Sequence, residues 1–157
     1  MNKAQRSGLF MVGATIVLDQ LTKYLALEGI SAAEPISIFP FLDLKLTWNQ
    51  GVSFGIFGGG SVPPFVLILI AILISMFLIW QLWNSKKLIL GMGFGLIIGG
   101  ALGNVIDRAI YGAVIDFILL SWKSWSWPVF NVADMAISCG VGLIIIDSLW
   151  PGRRSTT

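Results

Sequence analysis

The chain contains no histidine, a single cysteine and few charges. Without histidine it cannot assemble a Ser-His or Cys-His nucleophile from its own residues. A His-ligated zinc site of the protease kind is equally excluded. One cysteine, Cys139, rules out an internal disulfide. Charged residues are 11% of the chain, against about 25% in a soluble domain. Apolar residues make up 56%, more than a water-soluble fold of 157 residues hides, so much of that surface must face lipid. The net charge of +2 and the absence of any long basic run give no reason to expect a nucleic-acid partner. Hydrolytic chemistry, if present, must run on carboxylates, on lysine, or on serine with lysine.

Four apolar stretches, at about 8–27, 65–83, 88–106 and 132–150, each approach the ~20 residues that a helix needs to cross ~30 Å of hydrocarbon. They predict an all-α membrane protein of one domain, residues 1–157, with long connections at 28–64 and 107–131 and a short turn at 84–87. Lys3 and Arg6 precede the first span, Lys86 and Lys87 fill the short turn, and Arg153 and Arg154 follow the last span. These basic positions fall on one side, which is therefore expected to be cytoplasmic. Asp19 and Lys23 interrupt the first span and no A-x-A pattern follows it, so it reads as an uncleaved helix rather than a signal peptide.

Both long connections carry structure signals. In residues 41–48, Leu42, Leu44, Leu46 and Trp48 alternate with Asp43, Lys45 and Thr47, a period of two that predicts a strand with one apolar face. Trp122, Trp125 and Trp127 in the second connection suit a membrane–water interface, where the ring is buried and its N–H stays wet. In the third span Gly91, Gly95, Gly99 and Gly103 form one stripe, a spacing that lets helices approach closely in lipid. Gly100, Asn104 and Arg108 form a neighbouring stripe, and Asp134, Ser138 and Gly142 another on the fourth span.

Ionisable groups in or beside spans are functional candidates by default. Asp19 and Lys23 are four apart and can neutralise each other. Arg108, beside Asp107 at the end of the third span, can orient a carboxylate or a carbonyl, or simply anchor at headgroups. Asp147 lies near interfacial water and is given no role. Asp116 and Asp134 fall on the same side of the membrane. Two carboxylates sharing a proton act as acid and base together without histidine, metal or cofactor. Asn131 and Asp134 also have the spacing of a helix capping box, which is compatible with catalysis. Gly51–Gly55 imitates a G-x-S-x-G nucleophile elbow, but that motif needs a soluble parallel sheet and a histidine partner. A pairing of Ser53 with Lys23 is a remote alternative, and Cys139 reads as packing.

Five ordered segments, DQLTK at 19–23, WNQGVSFG at 48–55, GGALGNVIDR at 99–108, VIDF at 114–117 and FNVADMA at 130–136, together resemble the lipoprotein signal peptidase (signal peptidase II) family over nearly the whole chain. The resemblance implies an intramembrane aspartic endopeptidase of the bacterial cell (inner) membrane. Its activity would remove signal peptides from prolipoproteins, just before a diacylglyceryl-modified cysteine. It implies Asp116 and Asp134 as the catalytic pair. Asp19, Lys23, Asn49, Gly51, Asn104, Arg108, Asn131 and Ala133 would support the site or bind substrate. It further implies an outer-leaflet β segment and an interfacial helix after Gly51, both between the first and second spans, and an active site facing the outer leaflet. The glycine stripe would then leave a groove for the signal helix. Val52 and Ser53, where small alanines are commoner, and the Trp-rich second connection depart from the family pattern. Two other readings of the residues are a four-helix transporter using Asp19 and a non-catalytic assembly protein.

Overall fold

A computed structural model describes residues 1–31, 34–51 and 62–149. Four helices are long and apolar enough to cross a membrane: α1 (Lys3–Gly29), α2 (Pro64–Asn84), α3 (Leu88–Tyr111) and α4 (Val132–Leu149). They match the four predicted spans, with α1 and α3 extended by several residues. Asn2 starts α1 through a capping box with Gln5. Pro63 and Pro64 start α2, where a missing N–H costs nothing. The short turn at Lys86 and Lys87 leads into α3, and Lys87 reaches Asp147 at 2.8 Å.

α3 is the central helix: 61% of its most apolar window is buried, against 11–22% for the other three. The reason is its two glycine faces. On one, a Cβ at Gly91 or Gly95 would strike the α1 backbone at Ala4 or Gly8, and one at Gly99 or Gly103 would meet Thr15 or Asp19. The Gly91–Gly95–Gly99–Gly103 stripe is thus occupied by α1. It leaves no groove for a substrate helix, contrary to the expectation above, because small residues on both helices allow backbone contact. On the other face, Gly93 and Gly100 seat Gly140 and Ala133 of α4. α2 contributes Leu82 to a cluster with Phe94 and Ile98 and otherwise exposes side chains such as Leu69, Leu73 and Phe77, as a lipid-facing helix would.

The β structure is larger than predicted. β1 (Ile36–Phe39), β2 (Leu42–Asn49), β3 (Val114–Trp122) and β4 (Trp125–Ser126) form one antiparallel sheet in sequence order. The predicted strand is β2. Its pairing with β3 joins the two long connections, with Thr47 opposite Asp116 and Asn49 opposite Val114. The simple alternation expected along β2 is broken by an irregularity between Leu44 and Thr47. The sheet docks on the end of α1 through Phe117, Ala26 and Ile30, with Leu44, Leu46 and Val132 packed around them. Burying one such large apolar side chain contributes about 1.5–3 kcal/mol. Between α3 and β3 the chain turns at Gly112, whose φ of 73° is left-handed and suits glycine. The expected interfacial helix after Gly51, Ser53, and the basic pair Arg153 and Arg154 lie outside the described residues.

Candidate active site

Asp116 sits on β3, four residues after Gly112, the αL turn that ends α3, and is 2% exposed. Its Oδ2 accepts a hydrogen bond from Asn49 Nδ2 at 2.9 Å and its Oδ1 one from Asn131 Nδ2 at 2.6 Å. Asn49 is aimed by a local turn: its Oδ1 accepts from the Gly51 N–H at 2.9 Å. Gly51 has φ +94°, and Leu67 fills the place of a side chain there. Only glycine suits that backbone, which accounts for the Asn49-x-Gly51 spacing.

Asp134 lies in the first turn of α4 and is half-buried. The predicted capping box is present in both directions. The Asp134 N–H donates to Asn131 Oδ1 at 2.9 Å, and the Asn131 N–H donates to Asp134 Oδ2 at 3.2 Å. Asp134 Oδ1 accepts from Asn104 Nδ2 at 3.0 Å. Asn131 therefore contacts both carboxylates, Asp116 through its side chain and Asp134 through its backbone. Burial is the main force on Asp116 and the charge of Asp134 adds to it. The bonds from Asn49 and Asn131 and the charge of Lys23 pull the other way, and the outcome is a carboxyl pushed up from 3.8 to about 6.

Beneath the pair lies a buried ionic cluster. Lys23 donates to Asp19 Oδ2 at 2.8 Å and to Asn104 Oδ1 at 3.0 Å, and pairs with Asp107 Oδ2 at 2.7 Å. Asp19 Oδ1 accepts the backbone N–H of Ala133 at 2.9 Å, at the start of α4. Asp107 Oδ2 accepts the Ile115 N–H at 3.2 Å, one residue before Asp116. Gln20 Nε2 bridges Asp107 at 2.9 Å and Asp19 at 3.2 Å. The cluster thus ties α1 and α3 to the two segments that carry the carboxylates. Ala133, fully buried, sets its backbone against Gly100 and its Cβ toward Gly103. With these bonds made, Asp19 accepts from three donors, on Lys23, Ala133 and Gln20.

The structure brings together Asp19, Lys23, Asn49, Gly51, Asn104, Asn131, Ala133, Asp116 and Asp134 in one connected network. Arg108 stands beside it in the last turn of α3, close enough to feel the charges of Asp134, Asp116 and Asp107, and its buried Nε has no hydrogen-bond partner among the described residues. Asp107 and Gln20 join the network without having been singled out from the sequence. Asp107 had been placed at a span end, where an acid usually reaches water. The helix instead continues to Tyr111 and buries it.

Comparison with known proteins follows the same lines. Residues 11–150 match the family model described as Signal peptidase (SPase) II. A lipoprotein signal peptidase of Methylorubrum extorquens is 43% identical over 155 residues, covering 97% of this chain and 91% of its own. One of Actinobacillus succinogenes is 37% identical over 155 residues, with 97% and 95% covered. A bacterial membrane enzyme solved by the in meso method at 1.9 Å resolution superposes with a TM-score of 0.81 at 30% identity, covering 92% of this chain and 94% of that one. A second bacterial membrane enzyme, solved by the same method at 2.3 Å, gives 0.81 at 28% identity over 96% and 93%. With a family match across most of its length, relatives above 30% identity and four apolar helices in the same fold, this multi-pass membrane protein belongs to the signal peptidase II family of proteases.

Proposed function

We propose that the protein is an aspartic endopeptidase that removes signal peptides from diacylglyceryl-modified prolipoproteins, cutting just before the lipidated cysteine, with Asp116 and Asp134 as the catalytic pair. The observation that carries this reading is the convergence of the two carboxylates on Asn131, one of them raised to about 6. In the active form one carboxylate of the pair is ionised and the other protonated. The ionised member takes a proton from water, and the resulting hydroxide attacks the scissile carbonyl. The protonated member gives its proton to the carbonyl oxygen, forming a tetrahedral intermediate. Return of a proton to the amide nitrogen then breaks the C–N bond and releases the signal peptide. No metal or other cofactor is needed for any of these steps. Arg108, with a donor unpaired among the described residues beside the site, is suited to hold a substrate carbonyl.

The location fits such a substrate. A signal helix enters through lipid and presents its cut site at the membrane surface, where the sheet and the helix ends meet. Lys3, Arg6, Lys86 and Lys87 at the opposite ends support an orientation with both termini on the cytoplasmic side of the bacterial cell membrane and the site at the outer leaflet. The decisive experiment is incubation of the purified protein, in lipid, with a diacylglyceryl-modified prolipoprotein. A single cut before the lipidated cysteine supports the reading. The same substrate left intact, or a cut that persists in Asp116→Asn and Asp134→Asn, sinks it.

A further inference from the structure

A cavity of about 410 Å³ opens beside Asp134, between the β3–β4 hairpin and the outward face of α4. Trp125 and Trp127 form one wall, their rings 5.9 Å apart. Met135, Ser138 and Cys139 form the floor, and Asp134 stands at its upper end. Resting on the function proposed above, we infer that this groove is the seat of an acyl chain of the substrate's diacylglyceryl group.

Three features favour an acyl chain over the signal peptide itself. The floor follows α4 from Asp134 to Cys139, five residues or about 7.5 Å of helix rise. It thus begins at a proposed catalytic carboxylate, where the lipidated residue must lie, and descends along a span into hydrocarbon. An acyl chain hanging from glycerol at the interface takes that course. Second, apart from Asp134 the walls offer few polar partners. An extended peptide laid there would bury N–H and C=O groups without hydrogen bonds, whereas an alkyl chain has none to satisfy. Third, the floor runs along only about one and a half turns of α4, a short bed for a signal helix that spans ~30 Å of hydrocarbon. The small side chains of Ser138 and Cys139 make the space, and the indoles of Trp125 and Trp127 suit its rim at the interface.

Cys139 is the only cysteine and is exposed, so it reports directly on occupancy. The wild-type protein in nanodiscs is treated with a small maleimide, alone, with diacylglyceryl-modified signal peptide, or with the same peptide carrying serine at the modified position. The lipidated peptide should slow alkylation at least tenfold and the serine peptide less than twofold. Equal protection by both would place the signal helix in the groove, and no protection by either would leave it to bulk lipid. Either result overturns the inference. In a cleavage assay, Cys139→Phe should raise KM about tenfold for a dipalmitoyl substrate with kcat kept, and leave a diacetyl analogue unaffected. An equal effect on both substrates, or on neither, counts against it. Cleavage without protection would remove the groove and leave the peptidase reading intact. Protection without cleavage would keep the groove and remove that reading.

Discussion

Lys23 donates to Asn104 Oδ1, and that bond decides which end of the Asn104 amide faces Asp134. An ammonium has only donors, so the amide oxygen must turn toward Lys23 and its NH₂ toward the Asp134 carboxylate. The same oxygen also accepts from Asn131 at 3.2 Å. A residue on α1 thereby orients a side chain on α3 for a carboxylate on α4.

Lys23→Met should accordingly be among the most damaging changes in the chain. It leaves Asp19 and Asp107 buried without their cation, and removing one member of a buried ionic cluster costs about 3–5 kcal/mol. Thermal unfolding in detergent should show the loss. Adding Asp107→Asn should recover part of it, because the second change removes an uncompensated charge. A Lys23→Met variant with wild-type stability would mean that the cluster holds nothing together.

The sequence made some of this legible and hid the rest for identifiable reasons. The spans were legible because bilayer thickness fixes their length. The acids Asp116 and Asp134 stood out because they interrupt apolar surroundings. β3 was hidden because Val114–Phe117 are buried throughout, so the run lacks the alternation that reveals a half-exposed strand. The glycine stripe announced close packing but not its partner. Only the fold shows that Ala4, Gly8, Thr15 and Asp19 fill it. Asp107 reads from the sequence only as the neighbour of Arg108 at a span end, because the pattern does not show that the helix runs on to Tyr111 and buries it.

The glycines separate into those that touch and those that do not. Gly95→Ala should lower stability by about 1–3 kcal/mol through overpacking, since its Cβ would meet the Gly8 backbone. Gly142→Ala meets nothing within 4 Å and should be neutral or gain up to about 1 kcal/mol from helix propensity. Melting curves for the two variants check the contrast. Equal effects would refute the packing assigned to α1 and α3.

Orientation has its own test. A reporter inserted after Trp125 should read as outside the cytoplasm, and one in the Lys86–Lys87 turn as inside. The reverse pattern would put the proposed site on the wrong face for an exported substrate.

Asp116 should make both stability and activity depend on pH. Its carboxyl titrates near 3.8 when unfolded and at about 6 when folded. Below 3.8 both states hold the proton and nothing is lost. Between these values the unfolded chain ionises first, so the folded state binds more protons and stability falls as pH rises. Above about 6 both are ionised and a loss of about 3 kcal/mol is complete. Asp116→Asn lacks this dependence, so the difference in Tm between wild type and variant should shift in the variant's favour between pH 4 and pH 7. In the free enzyme the same ionisation strips the pair of its proton, and kcat/KM should decline through an apparent pKa near 6 that belongs to the pair. A flat kcat/KM from pH 5 to 8 would contradict this.

Asp116→Asn and Asp134→Asn test the chemistry most directly. Each should lower turnover by roughly 10²–10⁴-fold or more, because an amide can neither take nor give the carboxyl proton. The structural cost is separable. Asp134 accepts from Asn104 on one oxygen and from the Asn131 N–H on the other. Asn offers one oxygen, so one donor loses its partner at about 1–3 kcal/mol. Asp116 faces the same arithmetic with Asn49 and Asn131. If Asp134 served only as a cap, Asp134→Asn would be slightly less stable and almost fully active, since asparagine is itself compatible with a helix start. If the two carboxylates act as a pair, each single variant folds, still protects Cys139 from alkylation when lipidated peptide is added, and fails to cleave it. The double variant should then be little worse than either single one, because groups that act as a unit do not contribute additively. Multiplying defects in the double variant would show that the two act independently, and substantial cleavage by either folded single variant would remove that residue from the mechanism.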